Sequence, residues 1–356
     1  MQMEKRYYAL IMAGGQGTRF WPWSSAEKPK QFLGIIGKEP LITQTFQRLA
    51  AFIPRENIFI VADGKYRAAV KEALPAFNDS RFIAEPLPRN TAPCLILANI
   101  VISAIDPGAN LLVVPADHYI PDTDVFAAQF RDALALAEQR LIVTSGIRPT
   151  MPHTGYGYIN FEAAGVSSQG QTTFYAVQEF KEKPGLAEAE AYLAAGNYYW
   201  NSGMFVYKLK YFRDFLAQYA PYYFEQYVAL EAALADPRAF FDIFKQIEPD
   251  SIDYALMERV KEVKMFKAAF TWSDVGSWSS MFELNAKDEN NNVAGEKNQI
   301  FIDSRDSLIF STGKKAVAVI GLQEVAVIDT ENGILVASLK EVQKVKQVLP
   351  ALEKLK

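Results

Sequence analysis

Short apolar blocks alternate with longer amphipathic segments along the first half of the chain. Residues 7–12, 57–62, 110–114 and 141–145 carry apolar side chains in runs of strand length. Between them, residues 42–52, 92–105 and 126–140 repeat their apolar positions at helical spacing. The two periods predict strands and helices respectively. Their alternation predicts an α/β fold, a mostly parallel sheet with helices on both faces, whose ligands sit beyond the C-terminal strand ends. Helix punctuation agrees with these segments. Thr91 with Pro93 just inside opens one helix, and Pro184-Gly185 precedes another that ends near Gly196.

The texture changes after about Asn285. "KDENNNVAGEKN" is polar and Asn-rich, a linker by composition, and beyond it apolar pieces recur at 300–302, 308–310, 317–320, 325–328 and 334–336. Short, fairly regular intervals between them predict a small all-β unit of solenoid type, a packing module outside any pocket. Val342, Val345, Val348 and Leu349 then share one helical face in the tail. The boundaries expected are 1–286 for the large domain, 287–298 for the linker and 299–356 for the small domain with its terminal helix.

Composition narrows the chemistry. Half of the 356 residues are hydrophobic, enough for a sizeable core, and a formal net charge of −4 offers no general attraction for nucleic acid. One cysteine, Cys94, excludes an internal disulfide framework and a Cys-rich metal site; its apolar neighbours make it a buried structural thiol. Two histidines, His118 and His153, argue against a multi-histidine metal cluster. Glycines interrupt the first apolar run too early for a signal segment or a membrane span, which predicts a cytoplasmic protein with no membrane partner.

Behind the first predicted strand stands "AGGQGTRFWPWSSAEKPKQF", residues 13–32. Gly14, Gly15 and Gly17 allow close backbone approach to an anion, and Arg19 and Lys30 can neutralise a polyphosphate. The run is neither GxxxxGK[ST] nor GxGxxG.

These residues resemble the signature of the sugar-phosphate nucleotidyltransferases. Trp21-Pro22 and the Lys30-Gln31-Phe32 ending are similar to the mannose-1-phosphate guanylyltransferase branch of that family. "EPLPRNTAP" (85–93), "VPADH" (114–118), "TGYGYI" (154–159), "FKEKP" (180–184), "WNSGMF" (200–205), "SIDYALME" (251–258) and "SDVGSW" (273–278) follow in the family's order, so the resemblance covers the first ~290 residues. One departure is Phe20-Trp21-Pro22-Trp23, with aromatic residues where leucines are typical.

The resemblance implies a Rossmann-like, glycosyltransferase-A-like catalytic domain on a mixed, mostly parallel sheet, a C-terminal left-handed β-helix, and a homodimer. It implies that the phosphate of mannose 1-phosphate attacks the α-phosphorus of GTP, yielding GDP-mannose and pyrophosphate. Gly14, Gly15, Gly17, Thr18 and Arg19 would hold the leaving pyrophosphate, with Lys30 a second cation. Asp117 and Asp274 resemble the carboxylates that hold the family's Mg²⁺, and His118 beside Asp117 is given a structural role. Glu182 and Asn201 are assigned to the mannosyl hydroxyls, Lys183 to the sugar phosphate and Gly157 to close backbone contact. Tyr156 and Trp200 are read as core aromatics. Glu85 stands where related transferases read the base, with Arg89, Asn90 and Thr91 supporting the loop or the phosphates.

No general base is required, since a phosphate monoester is already ionised at neutral pH. Two other readings stay open: a transferase for another sugar or nucleotide, such as glucose 1-phosphate with UTP, and a nucleotide-sugar sensor without turnover. The sensor reading predicts a missing metal ligand or phosphate cation, whereas Asp117, Asp274, Arg19 and Lys30 are all present. An isomerase domain of the kind fused to some longer relatives is not expected here.

Overall fold

The computed structural model describes residues 6–15, 17–163, 166–295 and 298–354. It resolves into two compact units that the chain enters more than once. The first takes the stretch ending at Gly14 together with Phe46–Ala116 and Ile120–Trp272; the second takes Gly15–Thr45, Asp117–Tyr119 and everything from Ser273 onward.

The first unit is built on a ten-stranded sheet: β1 (Tyr7–Met12), β2 (Ile58–Asp63), β3 (Phe82–Glu85), β4 (Asn110–Pro115), β5 (Ile142–Ile147), β6 (Tyr158–Phe161), β7 (Ser167–Gln169), β8 (Thr172–Lys181), β9 (Tyr198–Lys208) and β10 (Val263–Lys267). Its order is β3-β2-β1-β4-β9-β5-β10-β8-β6, with β7 on β8. The strands β3, β2, β1 and β4 are mutually parallel, as expected of uninterrupted apolar runs buried on both faces. The sheet is mixed, as the family resemblance implies, but it is not mostly parallel. Every pairing made by β6, β7 and β9, and the contact of β8 with β10, is antiparallel. Apolar periodicity places a strand but carries no sign of its direction. A turn as short as that at Gly170, where φ is +59°, can only join antiparallel neighbours.

The helix Thr91–Ser103 is apolar around its whole circumference because it is buried around its whole circumference, Cys94 included. Asn90, not Thr91, caps it: the Asn90 side-chain oxygen accepts the Thr91 N–H at 2.8 Å. Pro93 is tolerated in the first turn, where the N–H it lacks would have no intrahelical acceptor. The helix Leu186–Ala195 ends at Gly196 in the left-handed conformation, as the sequence predicts.

The second unit contains β11 (Val293–Ala294), β12 (Gln299–Ile302), β13 (Leu308–Ser311), β14 (Val317–Ile320), β15 (Val325–Thr330) and β16 (Gly333–Ser338). Gln299 pairs in parallel with Val317, Leu308 with Ala326, and Arg305 with Gln323, each partner 18 positions on. An 18-residue coil with three such sides is a β-helix, capped where β16 folds back antiparallel on β15. Of the expected linker, residues 296 and 297 lie outside the described residues, and residues 287–295 are a coil wall rather than a loose tether. Its β11 pairs with β13, and the Asn292 amide donates to the Ser304 carbonyl while its side-chain oxygen accepts the Ser307 N–H. Val342 and Val345 are buried in a 3₁₀ segment, where side chains three apart eclipse one another. Among the described residues no helix is long and apolar enough to cross a membrane.

Candidate active site

In the second unit, Gly17, Thr18, Arg19, Phe20, Lys30, Asp117, His118, Asp274 and Gly276 enclose a polar cavity of about 250 Å³. Local geometry explains the glycine in the turn. Gly17 has φ +62°, and a Cβ there would lie 2.5 Å from the backbone nitrogen of Lys30. The turn closes on itself when the Ser24 hydroxyl donates to the Gly17 carbonyl at 2.6 Å. Thr18–Phe20 then forms a single 3₁₀ turn that buries Phe20 and leaves Arg19 exposed, with no ion pair among the described residues.

The segments carrying Asp117 and Asp274 are held together by a short antiparallel bridge. The Tyr119 N–H donates to the Ser273 carbonyl at 2.9 Å, and the Ser273 N–H returns to the Tyr119 carbonyl at 3.1 Å. Val275 is left with φ +46°, a strained conformation for a β-branched residue, fixed by its N–H donating to the Ser273 hydroxyl. Gly276 lies so close to Asp274 that a Cβ would fall 3.0 Å from the carboxylate.

Lys30 is buried, not a solvated charge. Its ammonium group stands 2.9 Å from Asp117 Oδ2, and donates to the carbonyls of Asp274 at 2.5 Å and Val275 at 3.1 Å. It thereby ties together the three segments that form the cavity. Burial pushes the Asp117 carboxyl upward, but the charge of Lys30, and then of His118, outweighs it and holds the group below the usual carboxylate range. Two carboxylates in one small polar cavity suit Mg²⁺, which takes one or two carboxylates and completes its shell with phosphate and water oxygens. Among the described residues no cluster of three or more His, Cys, Asp or Glu exists to favour another metal.

The base and sugar candidates belong to the first unit. Glu85 ends β3 and is 7% exposed. One carboxylate oxygen accepts a long bond from the Arg89 N–H at 3.4 Å, while the other lies 3.8 Å from where a Cβ on Gly14 would sit. Burial pushes its pKa up to about 7, with the Arg89 N–H pulling it back and Asp63 adding to the rise. A carboxylate so poorly compensated is suited to accept from paired N–H donors. The other members of its loop act on the loop itself. Arg89 donates to the Lys245 carbonyl, Asn90 caps the helix at φ +69°, and the Thr91 hydroxyl accepts the Ile252 N–H at 2.8 Å.

Gly157, Glu182, Lys183 and Asn201 lie close together. The Asn201 N–H donates to the Gly157 carbonyl at 2.8 Å, and the Lys183 N–H to the Tyr156 carbonyl at 3.2 Å. Glu182 is buried against the Lys183 ammonium group. Burial alone would lower the Lys183 pKa; the Glu182 hydrogen bond and charge reverse this, and it is raised. Trp200 is buried and Tyr156 packs edge-on against it at 5.0 Å, consistent with a core role.

Asp253 is the residue that sequence reasoning missed. It opens a turn of π-helix, Asp253–Met257, and accepts from the Asn201 amide at 3.0 Å. Burial, then the neighbouring charge of Glu182, pushes its pKa up to about 7 against the pull of Lys183. A signal was present. Asp253 is an acid inside the otherwise apolar run Ile-Asp-Tyr-Ala-Leu-Met, and such an acid requires a partner.

The Nucleotidyl transferase family model matches residues 8–291, and the MannoseP isomerase/GMP-like beta-helix domain model matches residues 297–352. The chain is 37% identical over 350 residues to the mannose-1-phosphate guanylyltransferase of Salmonella montevideo, which spans 97% of this chain and 73% of that one. It is 35% identical over 361 residues to the protein of the same name from Escherichia coli strain K12, spanning 98% and 74%. Among solved structures, the one described as mannose-1-phosphate geranyltransferase from Thermus thermophilus matches with a TM-score of 0.87 at 30% identity, over 98% of this chain and 99% of that one. With the two models matched in order over nearly the whole chain, the chain belongs to the nucleotidyl transferase family.

Proposed function

We infer that this protein transfers GMP from GTP to α-D-mannose 1-phosphate, releasing GDP-mannose and pyrophosphate. The observation that carries the reading is the alignment of almost the whole of this chain, at 35–37% identity, with 73–74% of the length of mannose-1-phosphate guanylyltransferases. The chemistry of the site supports it. The nucleophile needs no base, because the second pKa of a phosphate monoester lies near ~6. Catalysis is then a matter of orientation and of stabilising the charge that grows on the departing pyrophosphate. Arg19 and the N–H groups of Gly15, Gly17 and Thr18 serve that charge. Asp117 and Asp274 would hold Mg²⁺, which when bound neutralises charge on the phosphate oxygens. Lys30 acts one step back, fixing the segments of both carboxylates through its bonds to Asp117 and to the carbonyls of Asp274 and Val275.

Guanine is distinguished from adenine by its adjacent N1–H and 2-amino donors, for which the under-compensated carboxylate of Glu85 is a matched acceptor. Glu182 and Asn201 take the sugar hydroxyls, Asp253 orients Asn201, and Lys183 meets the sugar phosphate. We take the β-helix as left-handed and the working protein as a cytoplasmic homodimer.

A pyrophosphate-release screen crossing the four NTPs with mannose, glucose and N-acetylglucosamine 1-phosphates tests the assignment. GTP with mannose 1-phosphate should exceed every other pair in kcat/KM by at least ~10-fold, the discrimination that a few hydrogen bonds supply. A preference for UTP or dTTP with glucose 1-phosphate would replace this reading by the neighbouring specificity. Tight GDP-mannose binding without turnover of any pair would establish a sensor.

A further inference from the structure

A second cavity, of about 520 Å³, lies in the second unit and shares no lining residue with the phosphate cavity. One wall is the segment that follows the phosphate turn, contributing Trp23, Ser25 and Lys28; the other is two coil turns of the β-helix, contributing Thr312–Lys315 and Asp329–Asn332.

Its charge is unbalanced in a particular way. Lys28, Lys314 and Lys315 all border it, and none of the three ammonium groups has an ion-pair partner among the described residues. Of the two acids on the same wall, Asp329 already accepts from the Ser311 hydroxyl at 3.1 Å. Gly313 leaves the turn before Lys314 and Lys315 uncrowded, since the nearest atom to a Cβ there would be Asp329 Oδ2 at 3.5 Å. An aromatic wall completes the lining: Trp23 is braced from behind by Phe310 at 4.3 Å and Trp278 at 6.4 Å.

The cavity is mechanically joined to the phosphate turn. The Thr330 hydroxyl and the Asn332 amide both donate to the Pro22 carbonyl, at 3.0 and 3.2 Å. From Pro22 the connection continues directly. The N–H groups of Trp23 and Ser24 donate to the Phe20 carbonyl at 2.8 and 3.0 Å, and Ser24 closes the turn on Gly17. A ligand that moved the coil turns or Trp23 would therefore shift the residues flanking Arg19.

We propose that this cavity is an effector site for a small phosphorylated metabolite, whose phosphate is held by Lys28, Lys314 and Lys315 and whose organic part lies against Trp23, and that its occupancy adjusts the phosphate turn. Clustered cations with hydroxyl and aromatic neighbours recognise a phosphate ester of either a sugar or a nucleoside. The effect on turnover rests on the transferase reading above; the binding does not.

Equilibrium dialysis with labelled GMP, glucose 6-phosphate and inorganic phosphate, on the wild type and on Lys314→Glu/Lys315→Glu, tests the site. At least one ester should occupy a class of sites in the wild type that the double variant loses by ~10-fold or more. Pyrophosphate release by the variant without effector should stay within about twofold of wild type, and the ester's effect on the KM for GTP should disappear. An ester that binds tighter than inorganic phosphate assigns the organic part to Trp23; equal affinity for free phosphate overturns that assignment. Identical binding stoichiometry and affinity in wild type and variant overturns the site altogether. Should the double variant lose its cooperative thermal transition, Lys28→Gln on the opposite wall carries the same test. A wild type without pyrophosphate release would refute the transferase reading while leaving the dialysis result intact.

Discussion

Replacing Gly157 by alanine isolates the sugar-recognition geometry in a single methyl group. The added Cβ would fall 2.5 Å from Glu182 Oε2 and 3.3 Å from the Asn201 Cβ. An ordinary carbon–oxygen contact is ~3.4 Å, so one partner has to move by about 1 Å. The backbone at 157 cannot easily retreat, because its carbonyl accepts the Asn201 N–H at 2.8 Å and its neighbour Tyr158 is fully buried between β8 and β9. The Glu182 carboxylate is the softer element, and displacing it misplaces an acceptor for a sugar hydroxyl. A displacement of that size costs ~10²-fold when the displaced group positions a reactant. We therefore expect Gly157→Ala to lower kcat/KM for mannose 1-phosphate by ~10²-fold, with the KM for GTP within about twofold of wild type. Pyrophosphate release at saturating GTP and varied mannose 1-phosphate measures the first, and the reverse titration the second. A melting temperature near wild type confirms that the substitution acts on the pocket. Unchanged kcat/KM for the sugar phosphate in a folded variant would refute the assignment of Glu182 to the sugar.

Four further outcomes follow from the same geometry. Asp117→Asn should keep the fold and lower kcat by ~10²-fold or more, about 3 kcal/mol of transition-state stabilisation, at any Mg²⁺ concentration; near wild-type turnover at saturating Mg²⁺ would remove Asp117 from the metal site. Glu85, with a folded pKa of about 7, is protonated below that pH in the free protein, so GTP affinity should weaken as pH falls from 8 to 6. Glu85→Gln should flatten that dependence and narrow the preference for GTP over ITP, and calorimetry showing the wild-type slope in the variant would exclude Glu85 as the base reader. Asp253→Leu removes the acceptor that orients the Asn201 amide and should raise the KM for mannose 1-phosphate by ~10-fold with a smaller change in kcat, an effect absent if Asp253 only packs. A chain ending at Ala286 should lose GTP binding together with its melting transition, because Phe20, Val275 and Trp278 share one apolar cluster with Val293, Leu308, Ala326, Ile328 and Val342; a folded truncation that binds GTP at wild-type affinity would contradict this.

That last expectation reverses what composition implies. Read along the sequence, the coils after Asn285 are a separate packing module, since no polar ligand candidate lies beyond Asp274. In space, the coils supply the apolar floor for the residues flanking the phosphate turn, which sequence distance conceals. The Asn-rich stretch misleads for a related reason. Asparagine is abundant in linkers because its amide satisfies a backbone in water, but inside a coil the same amide satisfies a backbone out of water, as Asn292 does at Ser304 and Ser307. Composition alone cannot separate the two uses.

What was legible is what depends on near neighbours in the chain. Gly17 is recognisable because its demand is local, a left-handed φ in a turn, and the apolar blocks of β1, β2 and β4 are recognisable because a strand buried on both faces has no polar positions. Lys30 shows where local reading stops. Its sequence neighbourhood, Lys-Pro-Lys-Gln-Phe, suggests an exposed cation reaching for phosphate, yet its ammonium group is buried against a carboxylate and two carbonyls, the latter 244 and 245 positions away. A buried ammonium group without those partners would carry a desolvation cost of several kcal/mol, so the charge of Lys30 and the path of the backbone at Asp274–Val275 must be fixed together. The strained φ of Val275 fits that account: the conformation that costs energy locally is the one that turns two consecutive carbonyls toward a single lysine and leaves the Asp274 carboxylate to the cavity. Lys30→Met, close in volume and without charge, should therefore disturb Asp274 as much as it removes a cation. The resulting loss should appear as weakened Mg²⁺ dependence of turnover and not as a raised KM for GTP alone.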